Sequence, residues 1–439
     1  MKLPAYVLGC IEALEKAGFC AYAVGGCVRD HLLGLEPQDY DLCTQAHPEQ
    51  IRQVFSEHDL VLAGLKHGTV GVIVPQGVVE ITTYRTEGGY TDSRHPGWVR
   101  FVDRVEEDLA RRDFTVNAMA WSPSGGLKDP FGGAEDLKRG ILRTVGTPKD
   151  RFREDALRIL RGARFASRYR LKPENRTYEA MIQLAPLMDE LARERVYSEL
   201  CKLIMTADVD DLLDYEPIVT QVIPELKPTV GFDQHSKHHI YDLYTHIAHV
   251  TAGAPRELAV RWAALLHDVG KPGTMTLDQL GEGHYYGHAQ ESAVLANEIL
   301  LRLKAPTALR EQVVLLVEQH MTLLQPQRNV LRRRLSRMGA RNLEWLLQLQ
   351  EADMGGQGTK EAEEYFRQLR QIIQELLAEE SCLTLKSLAV NGRDLMELGI
   401  PAGKDLGRCL QALLDGVLDE TLPNEKEALL EAAKGFCKG

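Results

Sequence analysis

Asp39 and Asp41 are spaced so that, on an extended strand, both carboxylates point to one face. Like charges at that separation repel, and a divalent cation is the usual remedy. Metal clamped there would stabilise the attacking hydroxyl and the leaving pyrophosphate of a nucleotidyl transfer. Just upstream runs Val24-Gly25-Gly26-Cys27-Val28-Arg29-Asp30. Paired glycines before a helix let backbone amides approach a phosphate, the helix N-terminus adds positive potential, and Arg29 offers a charged donor to the same anion. A Gly-Gly pair or an Asp-rich turn alone would be ordinary surface; the two in this order favour catalysis.

A second concentration of chemistry lies far downstream. Nine of the 14 histidines (235, 238, 239, 246, 249, 267, 284, 288 and 320) fall between breaks near Pro224–Pro228 and Gly355–Gly358. There His267-Asp268-Val269-Gly270-Lys271 sets an imidazole beside a carboxylate, a mixed ligand pair for one metal. Each histidine taken singly is more often a satisfied core residue, and the stretch reads alternatively as a plain helical body.

These groups need elements to hold them. Pro4–Gly18 is patterned as an amphipathic helix; Val70–Val74 and Val78–Thr83 predict short strands split by Pro75-Gln76-Gly77, and Asp39–Leu42 predicts another. From Lys149 onward helical spacing of Leu, Ala and Ile dominates. A chain of 439 residues exceeds one ordinary core. The expected fold is α+β: a mixed α/β head over 1–145, an all-helical neck over 146–225, a helical metal-bearing domain over 226–358 and a helical tail over 359–439. No run approaches the roughly 18 apolar residues that span a bilayer, and the start has no long apolar core with a cleavage site, so neither membrane nor export is expected. Eight scattered cysteines without a C-x-x-C suit a reducing cytoplasm. With 63 acidic against 52 basic residues, the net charge of -11 excludes coating nucleic acid by bulk positive charge. It does not exclude a local stripe: seven arginines against two acids lie in Arg151–Arg170, and Arg332, Arg333, Arg334, Arg337 and Arg341 stand in a stretch without acids.

Gly25-Gly26-x-x-Arg29-Asp30 followed by Asp39-x-Asp41 resembles the nucleotidyltransferase head of the DNA polymerase beta superfamily. Arg111-Arg112-Asp113-Phe114-Thr115-Val116-Asn117-Ala118 narrows the resemblance to the bacterial tRNA nucleotidyltransferases and poly(A) polymerases. Asp129-Pro130-Phe131-Gly132-Gly133 and Arg153-Glu154-Asp155-Ala156-Leu157-Arg158 follow in that family's order. The match is strongest to the CCA-adding members, which complete the 3′ end of tRNA from CTP and ATP without a nucleic-acid template; poly(A) polymerase is the alternative. The resemblance implies Mg²⁺ at Asp39 and Asp41, triphosphate contacts from Gly25, Gly26, Arg29 and Arg112, and Asp113 and Asn117 beside the nucleotide. It implies the tRNA 3′ end and acceptor arm as partner, and no protein partner. Glu80, on the strand Val78–Thr83, is a candidate third carboxylate, or else a surface residue.

Asp155, Arg158, Arg161 and Arg164 recur every three residues, which on a helix gives one face. Such a face is commonly a salt-bridged surface. Cytosine and adenine, however, each offer an exocyclic amine beside a ring-nitrogen acceptor, whereas guanine and uracil show a carbonyl beside an N–H. An Asp accepting from the amine and an Arg donating to the ring nitrogen would take C and A and refuse G and U. The resembled family uses this pair as an amino-acid template, which carries over to Asp155 and Arg158, with Arg161; Arg164 then contacts phosphate. The polar stretch Tyr84–Pro96 resembles the family's flexible loop for switching from C to A addition. His267-Asp268, with His246 upstream and Asp353 downstream, resembles the HD phosphohydrolases. That implies a second divalent metal, His288 and His320 as phosphate- or second-metal-binding groups, and hydrolysis of phosphomonoesters or cyclic phosphates. The rivals, a phosphohydrolase with a nucleotide-sensing head and a non-catalytic tRNA binder, are weakened by the intact Asp39/Asp41 pair.

Overall fold

The computed structural model describes residues 1–89, 97–235, 241–355, 360–379 and 384–435. Packing divides the chain into two units, Met1–Lys227 and Pro228–Gly439. The first opens with helix α1 (Ala5–Lys16), whose buried Val7, Cys10, Ile11 and Leu14 follow helical spacing. Nine strands follow: β1 (Ala21–Val24), β2 (Leu42–Thr44), β3 (Leu60–Val61), β4 (Thr69–Val74), β5 (Gly77–Thr83), β6 (Arg85–Gly88), β7 (Trp98–Phe101), β8 (Ala120–Ser122) and β9 (Gly126–Lys128). Seven form one sheet in the order β3-β4-β5-β2-β1-β8-β9. Its β2–β5 pair is parallel and the other neighbours are antiparallel. Helices α2 (Gly26–Leu32), α3 (Pro48–Val54), α4 (Val105–Ala110) and α5 (Gly133–Arg139) complete the mixed α/β head.

The strand expected over Asp39–Leu42 is displaced: β2 starts at Leu42. Its partner β1 pairs Ala21, Tyr22 and Ala23 with Thr44, Cys43 and Leu42. Gly25 then turns away, leaving residues 39–41 little ladder to join. The Asp41 carbonyl still accepts from the Val24 N–H at 2.9 Å. The expected loop over 84–96 is in part a hairpin, with Arg85 opposite Phe101 and Gly88 opposite Trp98; residues 90–96 lie outside those described.

Beyond the head the first unit is helical: α6 (Pro148–Glu154), α7 (Leu157–Tyr169), α8 (Asn175–Leu184), α9 (Arg193–Ile204), α10 (Val209–Asp214) and α11 (Glu216–Val222). The second unit contains α12 (Leu243–Gly253), α13 (Leu258–Leu266), α14 (Lys271–Thr274), α15 (His288–Arg302), α16 (Thr307–Gln319) and α17 (Arg328–Met354), the last kinked at Gly339 (φ 76°, ψ 157°). Then come α18 (Lys360–Ala378), α19 (Gly392–Glu397), α20 (Lys404–Leu418) and α21 (Lys426–Ala433). The final three helices gather a core of their own around Leu395, Cys409, Leu413 and Leu429. Short β-bridged pairs persist in this helical region, Ile141–Leu142 with Lys172–Pro173 and Thr276–Leu277 with Gly283–His284.

Both basic stretches are quieter than a linear count suggests. Arg161 pairs with Asp113, Arg164 with Glu199, and Arg170 with Asp208 and Asp211. Arg332 meets Glu420, and Arg333 meets Asp419. Distant segments supply the acids that the local sequence lacks. No helix among the described residues is long and apolar enough to cross a membrane, and the cysteines at 10, 20, 27, 43, 201 and 409 are in no disulfide.

Candidate active site and metal cluster

β1 delivers the chain to Gly25, whose φ of 77° starts the turn into α2. A Cβ there would lie 2.8 Å from Arg112 Nη1. The position therefore needs glycine twice, for its backbone and for the arginine laid against it. Arg112 Nε is buried without a hydrogen-bond partner, and its guanidinium meets the buried Asp108 only at 3.6 Å. This leaves Arg112 donor capacity directed at the Gly25 turn.

The carboxylates converge beside it. Leu42 pairs in parallel with Ile81, and one residue back the same register sets Asp41 against Glu80. Asp41, just before the start of β2, is open as a residue, but protein atoms crowd its carboxyl. Burial, then the charges of Asp39 and Glu80, push that carboxyl up to about 6 against the pull of Arg112. Asp39 and Glu80 thus set negative charge beside Asp41 that Arg112 only partly offsets. A divalent cation fits there.

Arg29, expected at the triphosphate, is buried. It donates to Asp30, the Asn117 side-chain Oδ1 and the Tyr169 hydroxyl, and stacks 4.1 Å over the Tyr169 ring. It thus clasps α2 to α7. Asp113 and Asn117 are likewise internal. Asp113 accepts from Arg161 at 2.7 Å, from the Asn117 amide at 3.0 Å and from the Phe114 N–H at 2.8 Å. Burial opposes its ionisation, yet Arg161, the Asn117 amide and Arg158 hold the carboxyl well below the usual carboxylate range.

Asp155 is not on the helix with Arg158, Arg161 and Arg164 as expected. α6 ends at Glu154, Asp155 is extended (φ −148°, ψ 104°), and α7 begins at Leu157. From that corner Asp155 Oδ1 accepts the Leu157 N–H at 3.1 Å, and Oδ2 accepts from Arg195 at 2.8 Å. Arg158 donates to Glu154 at 2.7 Å and to the Arg111 carbonyl at 3.1 Å. Arg164, expected at phosphate, is buried, with Nε 2.6 Å from Glu199 and its guanidinium 4.1 Å over Phe165. The arginine face of α7 is an interior face because acids from 113 and 199 fold onto it. Arg195 and Tyr169 carried no sequence signal, since each acts across a gap that spacing rules do not reach.

The poly(A) polymerase head-domain model matches residues 21–143, and a tRNA nucleotidyltransferase domain 2 model matches 288–433. The CCA-adding enzyme of Latilactobacillus sakei subsp. sakei (strain 23K) is 33% identical over 430 residues, covering 98% of this chain and 98% of that one. The chain belongs to the CCA-adding enzyme family. A relative in Ligilactobacillus salivarius (strain UCC118) is 43% identical over 231 residues, which span 51% of this chain and 57% of the relative's length. The crystal structure of the Bacillus stearothermophilus CCA-adding enzyme in complex with CTP is similar over 100% of this chain and 98% of that one, with a TM-score of 0.74 and 29% identity.

The second unit of this CCA-adding family member brings all six downstream candidates together. His246 comes from α12, His267 and Asp268 from the end of α13, His288 from the start of α15, His320 from the end of α16, and Asp353 from α17. His246 Nε2 lies 3.1 Å from Asp353 and 3.5 Å from Asp268; His267 Nε2 lies 3.2 Å from Asp268. On the other carboxylate oxygen, His288 Nε2 is at 3.3 Å and His320 Nε2 at 3.7 Å. Two ligand groups thus share Asp268: His246 and His267 on one side, His288 and His320 on the other. His267, His288 and His320 donate Nδ1–H to the carbonyls of Ala264, Tyr285 and Val317 at 2.8, 2.7 and 2.6 Å. That fixes each tautomer with an Nε2 lone pair facing inward, the arrangement metal-binding histidines use. Asp268 Oδ1 is buried and accepts no hydrogen bond, so lone pairs meet there without protons between them. Burial alone would lower His246, but Asp268 and Asp353 raise it to about 9. Lys271 Nζ, 2.7 Å from Asp268 and 3.1 Å from Gln234, offsets part of the charge; Gln234 gave no signal in the sequence.

Proposed function

We propose that this chain completes the 3′ end of tRNA, adding C, C and A from CTP and ATP and releasing pyrophosphate at each step. The observation that carries the reading is the only partly offset charge of Asp39, Asp41 and Glu80 beside the Gly25–Arg112 turn. Full-length similarity to the CCA-adding family supports it. The tRNA 3′ hydroxyl attacks the nucleotide α-phosphate, with the triphosphate over the Gly25-Gly26 turn and against Arg112. Mg²⁺ held by Asp39 and Asp41 would neutralise charge developing at the α-phosphate and on the departing pyrophosphate. Asp155 and Arg158 read the pairing edge: the carboxylate accepts the amine of C or A, and the guanidinium donates to the ring nitrogen. Arg158 keeps N–H groups beyond those accepted by Arg151, Glu154 and Arg111, so it can take a base while these contacts hold. Arg29, Asp113, Asn117 and Arg161 keep α7 registered on the head.

The converging histidines and acids favour a second reading for the second unit. His246, His267, Asp268 and Asp353 would hold one divalent metal, and Asp268, His288 and His320 a second. Such a pair supplies Lewis acidity and water activation for hydrolysing phosphomonoesters or cyclic phosphates. We assign transfer chemistry to 1–145, base selection and the tRNA-binding body to 146–225, the hydrolase to 226–358 and the tail to 359–439, in a cytoplasmic protein whose described cysteines are in no disulfide. Replacing Asp41 by Ala tests the first reading: incorporation of labelled CTP and ATP into tRNA lacking CCA should vanish while phosphatase activity persists. Retained incorporation removes Asp41 from the reaction.

A further inference from the structure

Asp155 reaches its base-reading position without a helix to hold it. An extended residue between two helices leaves a carboxylate free to turn unless partners fix it. The Leu157 N–H holds Oδ1 at 3.1 Å, and Arg195 Nη2 reaches from α9 to hold Oδ2 at 2.8 Å. The pair is largely withdrawn from water, with 23% of the Arg195 side chain and 18% of the Asp155 side chain exposed. Arg195 Nη1 is buried and makes no hydrogen bond, so the guanidinium's charge is spent chiefly on this one carboxylate. Arg158, the other half of the reading pair, is held separately by Glu154 and Arg111. The two groups are therefore set by different supports.

We propose that Arg195 is a positioning residue for base choice, which keeps the Asp155 carboxylate aimed so that it accepts the exocyclic amine of cytosine or adenine. The inference rests on Asp155 being the base-reading carboxylate. An ionised carboxylate only accepts, at about four lone-pair sites. Two are taken here, which leaves room for the amine. A carboxylate that swings away loses its aim, and the site then no longer sets the amine of cytosine or adenine above the carbonyl of uracil or guanine. Arg195 touches no base in this scheme; it fixes the acceptor that does. A tie that merely joined α9 to the Asp155 corner would, when cut, slow every nucleotide alike.

The experiment compares full-length wild type with Arg195→Ala, Arg195→Lys, Asp155→Asn and the double variant Arg195→Ala/Asp155→Asn. The substrates are tRNA lacking CCA with CTP or UTP, and tRNA ending in CC with ATP or GTP. Arg195→Ala should lower the CTP-to-UTP and ATP-to-GTP ratios of kcat/KM by about tenfold or more, and Arg195→Lys should keep them within about threefold of wild type. In the Asp155→Asn background, losing Arg195 should change the ratios no further. An equal loss with all four nucleotides in Arg195→Ala, while Asp155→Asn relaxes choice, overturns the role of Arg195 and spares Asp155. Unchanged ratios in Asp155→Asn instead overturn the reading on which the inference rests. Should the alanine variant not fold, Arg195→Gln, which keeps the stem packed, carries the same comparison.

Discussion

Asp113→Ala removes a group whose expected place was the nucleotide and whose observed place is the interior. The carboxylate is 8% exposed and holds three donors: the Arg161 guanidinium, the Asn117 amide and the Phe114 N–H. Deleting it strands them. Breaking a buried ion pair from one side costs about 3–5 kcal/mol. One third of the Arg161 side chain is open to water, which re-solvates that charge, so about 3 kcal/mol at the low end is expected. In a unit of this size that corresponds to a fall of about 6–12 °C in Tm. Urea unfolding of the full chain, followed by tryptophan fluorescence, measures it. The pH dependence has a definite sign. Asp113 titrates lower folded than unfolded, so its stabilisation is complete above the unfolded carboxyl range and lost as pH falls below about 4. The wild-type advantage should be flat from neutrality to mildly acid solution and shrink below that. Asp113→Leu with Arg161→Met should recover most of the loss, because an apolar pair strands no charge. A cost under about 1 kcal/mol for Asp113→Ala, or an advantage that grows on acidification, would refute the internal clasp.

Three further outcomes follow from the same geometry. Gly25→Ala places a methyl 2.8 Å from Arg112 Nη1 at a φ of 77°, so steady-state kinetics should show KM for CTP and ATP rising together by about tenfold, with base preference unchanged. Asp41 titrates near 6 when folded, above its unfolded range; without metal its contribution to stability is lost as pH rises through 6, so Mg²⁺ should raise Tm more at pH 7.5 than at pH 5 in a dye-based melt. His288→Ala should cost the second unit one of the two metal ions proposed on either side of Asp268, read by elemental analysis after dialysis, leaving CCA addition at the wild-type rate.

Legibility in the sequence tracked the range of the interactions. Helix α1 and strands β4 and β5 follow from local periodicity and appear where patterning places them. Asp155 was misplaced onto a helix because every-third-residue spacing is equally compatible with a helix that starts two residues later. The arginines of α7 read as a stripe for nucleic acid because their partners, Asp113 and Glu199, lie dozens of residues away. Arg29 has the same history: its motif is local, but its clasp on Asn117 and Tyr169 is tertiary. The six metal-ligand candidates came from the His267-Asp268 pair and the order of ligands in the HD phosphohydrolases it resembles; their convergence on two sides of Asp268, and the carbonyls that fix three imidazole tautomers, belong to the fold.

The central claim is that protein groups alone choose C, C and then A. Purified chain, tRNA lacking CCA and all four nucleotides in equal amounts, followed by sequencing of individual 3′ ends, tests it most directly. The account predicts ends that stop at CCA, with U and G nearly absent. Runaway A tails, or ends that sample all four bases, would contradict it.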